Sequence, residues 1–153
     1  MSDRALFRTL LVLTLIGVGI ASYLTYVHYN GLSPICAIGH GCEKVQSSEW
    51  AKIAGAPVPL VGLIGYIGIL ASLLIRTEYS RLATAGMAYI GFAFSLYLTY
   101  REIFTIRAIC QWCVGSAIVM TLLAIFSTIR VLREGAEEPY ASDLASATQH
   151  EPA

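Results

Sequence analysis

Residues Ala108–Ile129 read AICQWCVGSAIVMTLLAIFSTI, a charge-free run that opens on Cys110-Gln-Trp-Cys113. Its length suits the roughly 20 apolar residues that a helix needs to cross about 30 Å of hydrocarbon. Three further runs, Thr9–Cys42, Ile53–Ile75 and Leu82–Tyr100, also lack Lys, Arg, Asp and Glu. The chain of 153 residues is 56% hydrophobic and only 13% charged, against about 25% charged in soluble domains. Lipid offers the backbone no hydrogen-bond partners, so each run has to close its own bonds as a helix. The sequence therefore predicts an all-α integral membrane protein, a bundle of four transmembrane helices at about 9–29, 58–75, 82–103 and 111–132. The competing reading is a soluble bundle with buried helices, and four long runs without a charged face argue against it. The first run is too long for a signal-peptide core and lacks a clear A-x-A cleavage site, so it reads as a retained helix.

Charge sets the expected orientation. Formal net charge is zero, which gives no reason to expect a nucleic-acid partner. Arg4, Arg8, Arg76, Arg81, Arg130 and Arg133 fall at one set of helix ends, with Lys44, Lys52, Arg101 and Arg107 at the other. That bias places both termini in the cytoplasm. The loop after the first run then faces outward, into a compartment that tolerates disulfides. Within Glu43–Ile53, Val45, Trp50 and Ile53 can share an apolar side, which suggests a short helix lying at the interface. Gly55-Ala-Pro57-Val-Pro59 breaks it and starts the second span. Residues 1–133 form the membrane domain, and the polar, acidic stretch 134–153 is expected to be a disordered cytoplasmic tail.

A repeat runs through the chain. Tyr23-Leu24-Thr25-Tyr26 recurs as Tyr97-Leu98-Thr99-Tyr100, and at the same offset Gly17 matches Gly91 and Ile35-Cys36 matches Ile109-Cys110. Each half reads as helix, aromatic exit, cysteine pair, helix. Tyr26, Tyr29, Tyr97 and Tyr100 suit an interfacial aromatic belt.

All four cysteines, Cys36, Cys42, Cys110 and Cys113, lie where spans meet loops. Cysteines at i and i+3 share a helix face and come within reach of a disulfide. At a helix N-terminus, Cys110 gains thiolate character from unpaired N–H groups and the helix dipole. Cys113 lies one turn deeper, toward the lipid. Cys36 and Cys42 close a small loop ring whose Gly39 and Gly41 permit a tight turn. Such an arrangement suits passing electrons between thiols and an acceptor dissolved in lipid. The same residues could form two structural disulfides. Their spacing is poor for a closed zinc site, even with His40 nearby, and Val114 stands where haem attachment needs a histidine. No carboxylate is expected inside a span.

The ordered set Cys36, Cys42-x-x-Val45-x-Ser47-Ser48-x-Trp50, Pro57-Val58 with Gly62 and Tyr66, then Cys110-x-x-Cys113 resembles the vitamin K epoxide reductase family over about residues 10–132. The resemblance implies a four-helix bundle around a quinone, capped by the loop and the interfacial helix. It implies that Cys113 meets the quinone and that Cys110 is its partner, attacked by Cys42. Cys36 would exchange with an external thioredoxin-like protein, and Ser48 would support the relay. Vertebrate members place an Asn and a Tyr, which bond the quinone oxygens, where this chain has Val58 and Ala117. A looser apolar site follows, lined by Trp50, Val58, Val61, Leu98 and Ala117 and suited to ubiquinone, menaquinone or a relative.

The function expected on this basis is oxidation of a separate DsbA-like thioredoxin-fold protein outside a bacterial inner or plasma membrane. Electrons would pass to a membrane quinone, in support of disulfide-bond formation and with no metal. The alternatives are reduction of a quinone or of vitamin K epoxide as the purpose itself, and a non-catalytic scaffold with structural disulfides.

Overall fold

The computed structural model describes residues 3–37, 41–49, 52–53, 55–75 and 77–149, with side chains described at all of these except 53, 78 and 134–149. Helix α1 (Asp3–Tyr29) buries Leu6, Leu10, Gly17, Ala21 and Leu24, a stripe at helical spacing. A loop leads to α2 (Gly41–Gln46), and Lys52–Ile53 (β1) pairs antiparallel with Ala56–Pro57 (β2). The turn between them is made at Gly55, whose φ of 85° is open to glycine at no steric cost. Helix α3 (Val58–Leu74) starts after extended Pro57 with Pro59 in its first turn, where a missing N–H leaves no bond unmade. Helix α4 (Glu78–Arg101) is capped by Thr77, whose hydroxyl accepts from the Ser80 N–H at 3.3 Å. It passes into a π-helical turn (Glu102–Ile106) that ends at Arg107 in the left-handed region. Helix α5 (Gln111–Gln149) completes the chain.

The apolar segments Asp3–Tyr29, Tyr79–Ile106 and Gln111–Arg133 are each long enough to cross a membrane. Helix α3 has 17 residues, about 26 Å at 1.5 Å per residue. Large apolar side chains such as Ile64, Ile67, Ile90, Leu96, Ile118 and Leu132 point outward. In water that surface would be a liability, and in lipid it is the solvent-facing side. The protein is an all-α membrane bundle, as its sequence predicts.

Helix α4 packs on α5, α5 on α1, α1 on α3 and α3 on α4, which closes a ring of four. One end is filled by Leu10, Tyr66, Ile69, Leu73, Met120 and Leu123. There Arg130 of α5 lies over the Phe7 ring of α1, 5.7 Å from its centre.

One expectation differs from the structure. The interfacial helix over 43–53 is shortened to α2 at Gly41–Gln46, because the Ser47 and Ser48 hydroxyls donate back to the carbonyls of Lys44 and Val45 and end it. Helix α5 runs past the last apolar span, to Gln149.

Candidate active site

Where α1 and α4 end and α5 begins, Cys42, Val45 and Cys110 form one buried cluster, with Cys36, Cys113, Ile106 and Trp112 packed against it. The structure thus brings both cysteine pairs to the same end of the bundle. Cys36 and Cys42 are joined by a disulfide, with Cα atoms 6.2 Å apart. Cys110 and Cys113 are free thiols. Cys42 and Cys110 are fully buried, whereas Cys36 is partly exposed.

The loop that carries Cys36 is docked by α5. Trp112 donates its indole N–H to the Ile35 carbonyl at 2.9 Å, and the Gln111 side-chain oxygen accepts from the Ala37 N–H at 3.1 Å. The Ile35 N–H is bound in turn by the Tyr23 hydroxyl of α1 at 3.1 Å, and the Tyr23 ring lies 4.9 Å from Trp112. Gly41 sits against the Ile109 carbonyl so closely that any side chain there would overlap it. The loop is therefore held down on the second cysteine pair.

Cys110 precedes α5 directly, and its carbonyl takes the Val114 N–H at 3.0 Å. Its thiol is held below the ordinary thiol range, first by a hydrogen bond from the Cys113 thiol and then, against burial, by the backbone N–H groups of Cys113 and Trp112. Glu102 lies on the other side of the pair. Its side chain is 4% exposed, its Oε2 accepts from the Cys110 N–H at 3.2 Å, and its carboxyl is a second acceptor within reach of the Cys113 S–H. The reading that no carboxylate lies within a span is corrected here. Glu102 fell at the end of the expected 82–103 span, and the π-helical turn aims it inward.

Cys113 and Glu102 border a cavity of about 360 Å³ inside the ring of helices. Val58, Val61, Leu98 and Ser48 border it as well. The Ser48 hydroxyl is spent on the Val45 carbonyl at 2.7 Å. Ala117 does not line it: the face of α5 through Cys113, Ser116 and Met120 does, and Ala117 lies about 100° further round than Ser116. Trp50 lies outside the described residues.

Other groups at the cavity escaped the sequence reading as site residues. Tyr66, on α3, shares a hydrogen bond of 2.9 Å with the Ser116 hydroxyl on α5. Gln46 brings a buried side-chain oxygen that has no hydrogen-bond partner among the described residues. An isolated glutamine or serine in an apolar sequence carries no signal of such a role, whereas Tyr66 was visible in the family pattern. Among the described residues, no group of three or more His, Cys, Asp or Glu is placed to hold a metal.

A dithiol with one sulfur buried beside a disulfide and the other at an apolar cavity defines a class, the membrane-embedded thiol redox proteins. The chain belongs to the vitamin K epoxide reductase family, whose family model matches residues 8–128. It is also similar to the thiol-disulfide oxidoreductase LTO1 of Arabidopsis thaliana, 39% identical over 46 residues. That match covers 29% of this chain and only 12% of the length of the plant protein.

Proposed function

We propose that the protein is an oxidoreductase that takes electrons from dithiols outside the membrane and delivers them to a membrane quinone. The observation that carries this reading is the continuity of sulfur from surface to cavity: Cys36 partly exposed, Cys42 and Cys110 in one buried cluster, Cys113 at the cavity wall. The cavity suits a quinone head group. Its volume of about 360 Å³ lies within the usual range for small-molecule sites. Its walls are apolar, from Val58, Val61 and Leu98, and polar groups reach it at a few points, among them Cys113, Glu102, Gln46, Arg101 and the Tyr66–Ser116 pair. A quinone bound there would accept two electrons and two protons.

The residues divide the work as follows. Cys36, the accessible sulfur, is attacked by one thiolate of a dithiol on a separate thioredoxin-fold partner in the extracytoplasmic space, and Cys42 leaves; the partner's second thiol then displaces Cys36, so that the partner departs as a disulfide and Cys36 and Cys42 are both free. Cys42 then exchanges with the Cys110–Cys113 disulfide at Cys110, releasing Cys113 at the cavity. Attack by Cys36 on Cys42 restores both the loop disulfide and the Cys110–Cys113 dithiol. The fully buried state of Cys42 keeps outside thiols from bypassing Cys36. Val58, at the cavity wall, supplies no hydrogen bond to a naphthoquinone, which favours a bulk membrane quinone over vitamin K epoxide.

Anaerobic addition of quinone to the fully reduced protein tests the proposal. Quinol should form as two thiols of the Cys110–Cys113 pair disappear for each quinone consumed. Cys113→Ser should abolish quinol formation. Quinol made at the normal rate by Cys113→Ser, or thiols left intact by quinone in the native protein, would overturn it.

A further inference from the structure

Among the described side chains Glu102 is the buried carboxylate; Asp3, Glu43 and Glu49 are exposed. Burying a carboxylate is costly unless something uses it. Its carbonyl accepts from the Ala108 N–H at 3.2 Å and from the Arg107 N–H, so the residue is fixed at both backbone and side chain. A π-helical turn of this kind, inserted at the end of a membrane helix, re-aims side chains and is common at functional sites. Here it sets one carboxyl against the Cys110 N–H, the Cys113 thiol and the cavity at once. To bind the Cys110 N–H alone, a neutral oxygen would serve without the cost of a buried charge.

We propose that Glu102 is the catalytic base of the thiol oxidation, taking the proton from Cys113 Sγ and holding it at the cavity edge for the acceptor. The inference rests on the cavity being the quinone site. Two thiols become the Cys110–Cys113 bond, losing two electrons and two protons, and the acceptor, a quinone, becomes a quinol. One proton travels from Cys113 Sγ through the Glu102 carboxyl. The other leaves Cys110, the thiol of raised acidity, to water, and water returns one to the acceptor. Transfer by a positioned group of this kind contributes about 10²- to 10⁴-fold in rate. The titratable and charged groups about Glu102 are Cys110 and Cys113 beside it and Arg101, which borders the same cavity, while Cys42 of α2, in its disulfide, packs on Cys110. Glu43 and Lys44 of α2 are exposed.

Glu102→Gln keeps an oxygen for the Cys110 N–H and removes the base. The full chain in lipid nanodiscs, given a short-chain quinone, should bind it with an affinity within about twofold of the native protein, while quinol formation in a single turnover falls by about 10²-fold or more. Infrared difference spectra between dithiol and disulfide states, recorded without quinone, should show a carboxyl protonation change in the native protein, absent in Glu102→Gln and shifted in Glu102→Asp. A native-like rate and pH profile in Glu102→Gln would overturn the role of Glu102 and leave the quinone reading standing. So would a native spectrum with no carboxyl change, which decides the matter even if Glu102→Gln does not fold. Native protein that binds no quinone and makes no quinol would instead overturn the reading on which the role rests.

Discussion

At the scale of single residues, the site depends on two neighbouring thiols being made unlike. Cys110 and Cys113 are one helical turn apart, yet Cys110 faces the disulfide cluster and Cys113 the cavity. The helix N-terminus beside Cys110 was legible in the sequence. The largest cause of its raised acidity, the Cys113 thiol donating to it, was not, because a spacing does not say which sulfur donates. Because its folded value lies below the ordinary thiol value of about 8.5, Cys110 stays a thiolate at pH values where a free thiol is protonated. Its reactivity should fall only as the pH drops through the depressed value. In the reduced protein, a titration of thiolate absorbance should show a first midpoint below the ordinary one. Cys113→Ala removes the donor and should move that midpoint upward. An unchanged midpoint would show that the backbone N–H groups alone set the acidity.

At the scale of elements, the spans were legible and their contacts were not. Charge-free runs located α1, α3, α4 and α5, since an apolar stretch of sufficient length has few other fates. Which side chain meets which is a matter of packing that periodicity does not report. Gly17 shows the difference: it was visible as one member of a repeat, but only the fold reveals the Tyr66 ring pressed against it. A methyl at Gly17 would overlap that ring, which is buried and tethered to Ser116. Gly17→Ala should therefore destabilise the bundle by about 1–3 kcal/mol, read as a lower thermal midpoint in detergent, and weaken quinone binding because Tyr66 borders the cavity. Trp112 is the comparable element contact for the loop. Trp112→Phe keeps a ring against Tyr23 and loses the bond to Ile35, worth about 1 kcal/mol. The loosened loop should let an external dithiol reduce Cys36–Cys42 faster, measured as the rate of disulfide loss.

At the scale of the whole molecule, the repeat and the site have a common geometry. The two related glycines each sit where the first helix of a half meets another helix: Gly17 of α1 against Tyr66 of α3, and Gly91 of α4 against Met120 of α5. The two related cysteines, Cys36 and Cys110, follow the ends of α1 and α4, so both halves deliver their sulfur to one end of the bundle. The opposite end carries Arg130 over Phe7, together with the connection from α3 to α4. A relay of this kind works only if the cysteine end faces the oxidising side, which the modest excess of arginine at the other end favours. Ser33 and Thr105 are exposed on the cysteine end, and Tyr79 is exposed on the other. Against the unsubstituted protein in intact cells, an impermeant maleimide should label Ser33→Cys and Thr105→Cys at once, and Tyr79→Cys only after the membrane is opened. Labelling of Tyr79→Cys alone in intact cells would turn the bundle over. The disulfide would then face a reducing compartment, and the thiols would have no oxidised substrate pool to maintain.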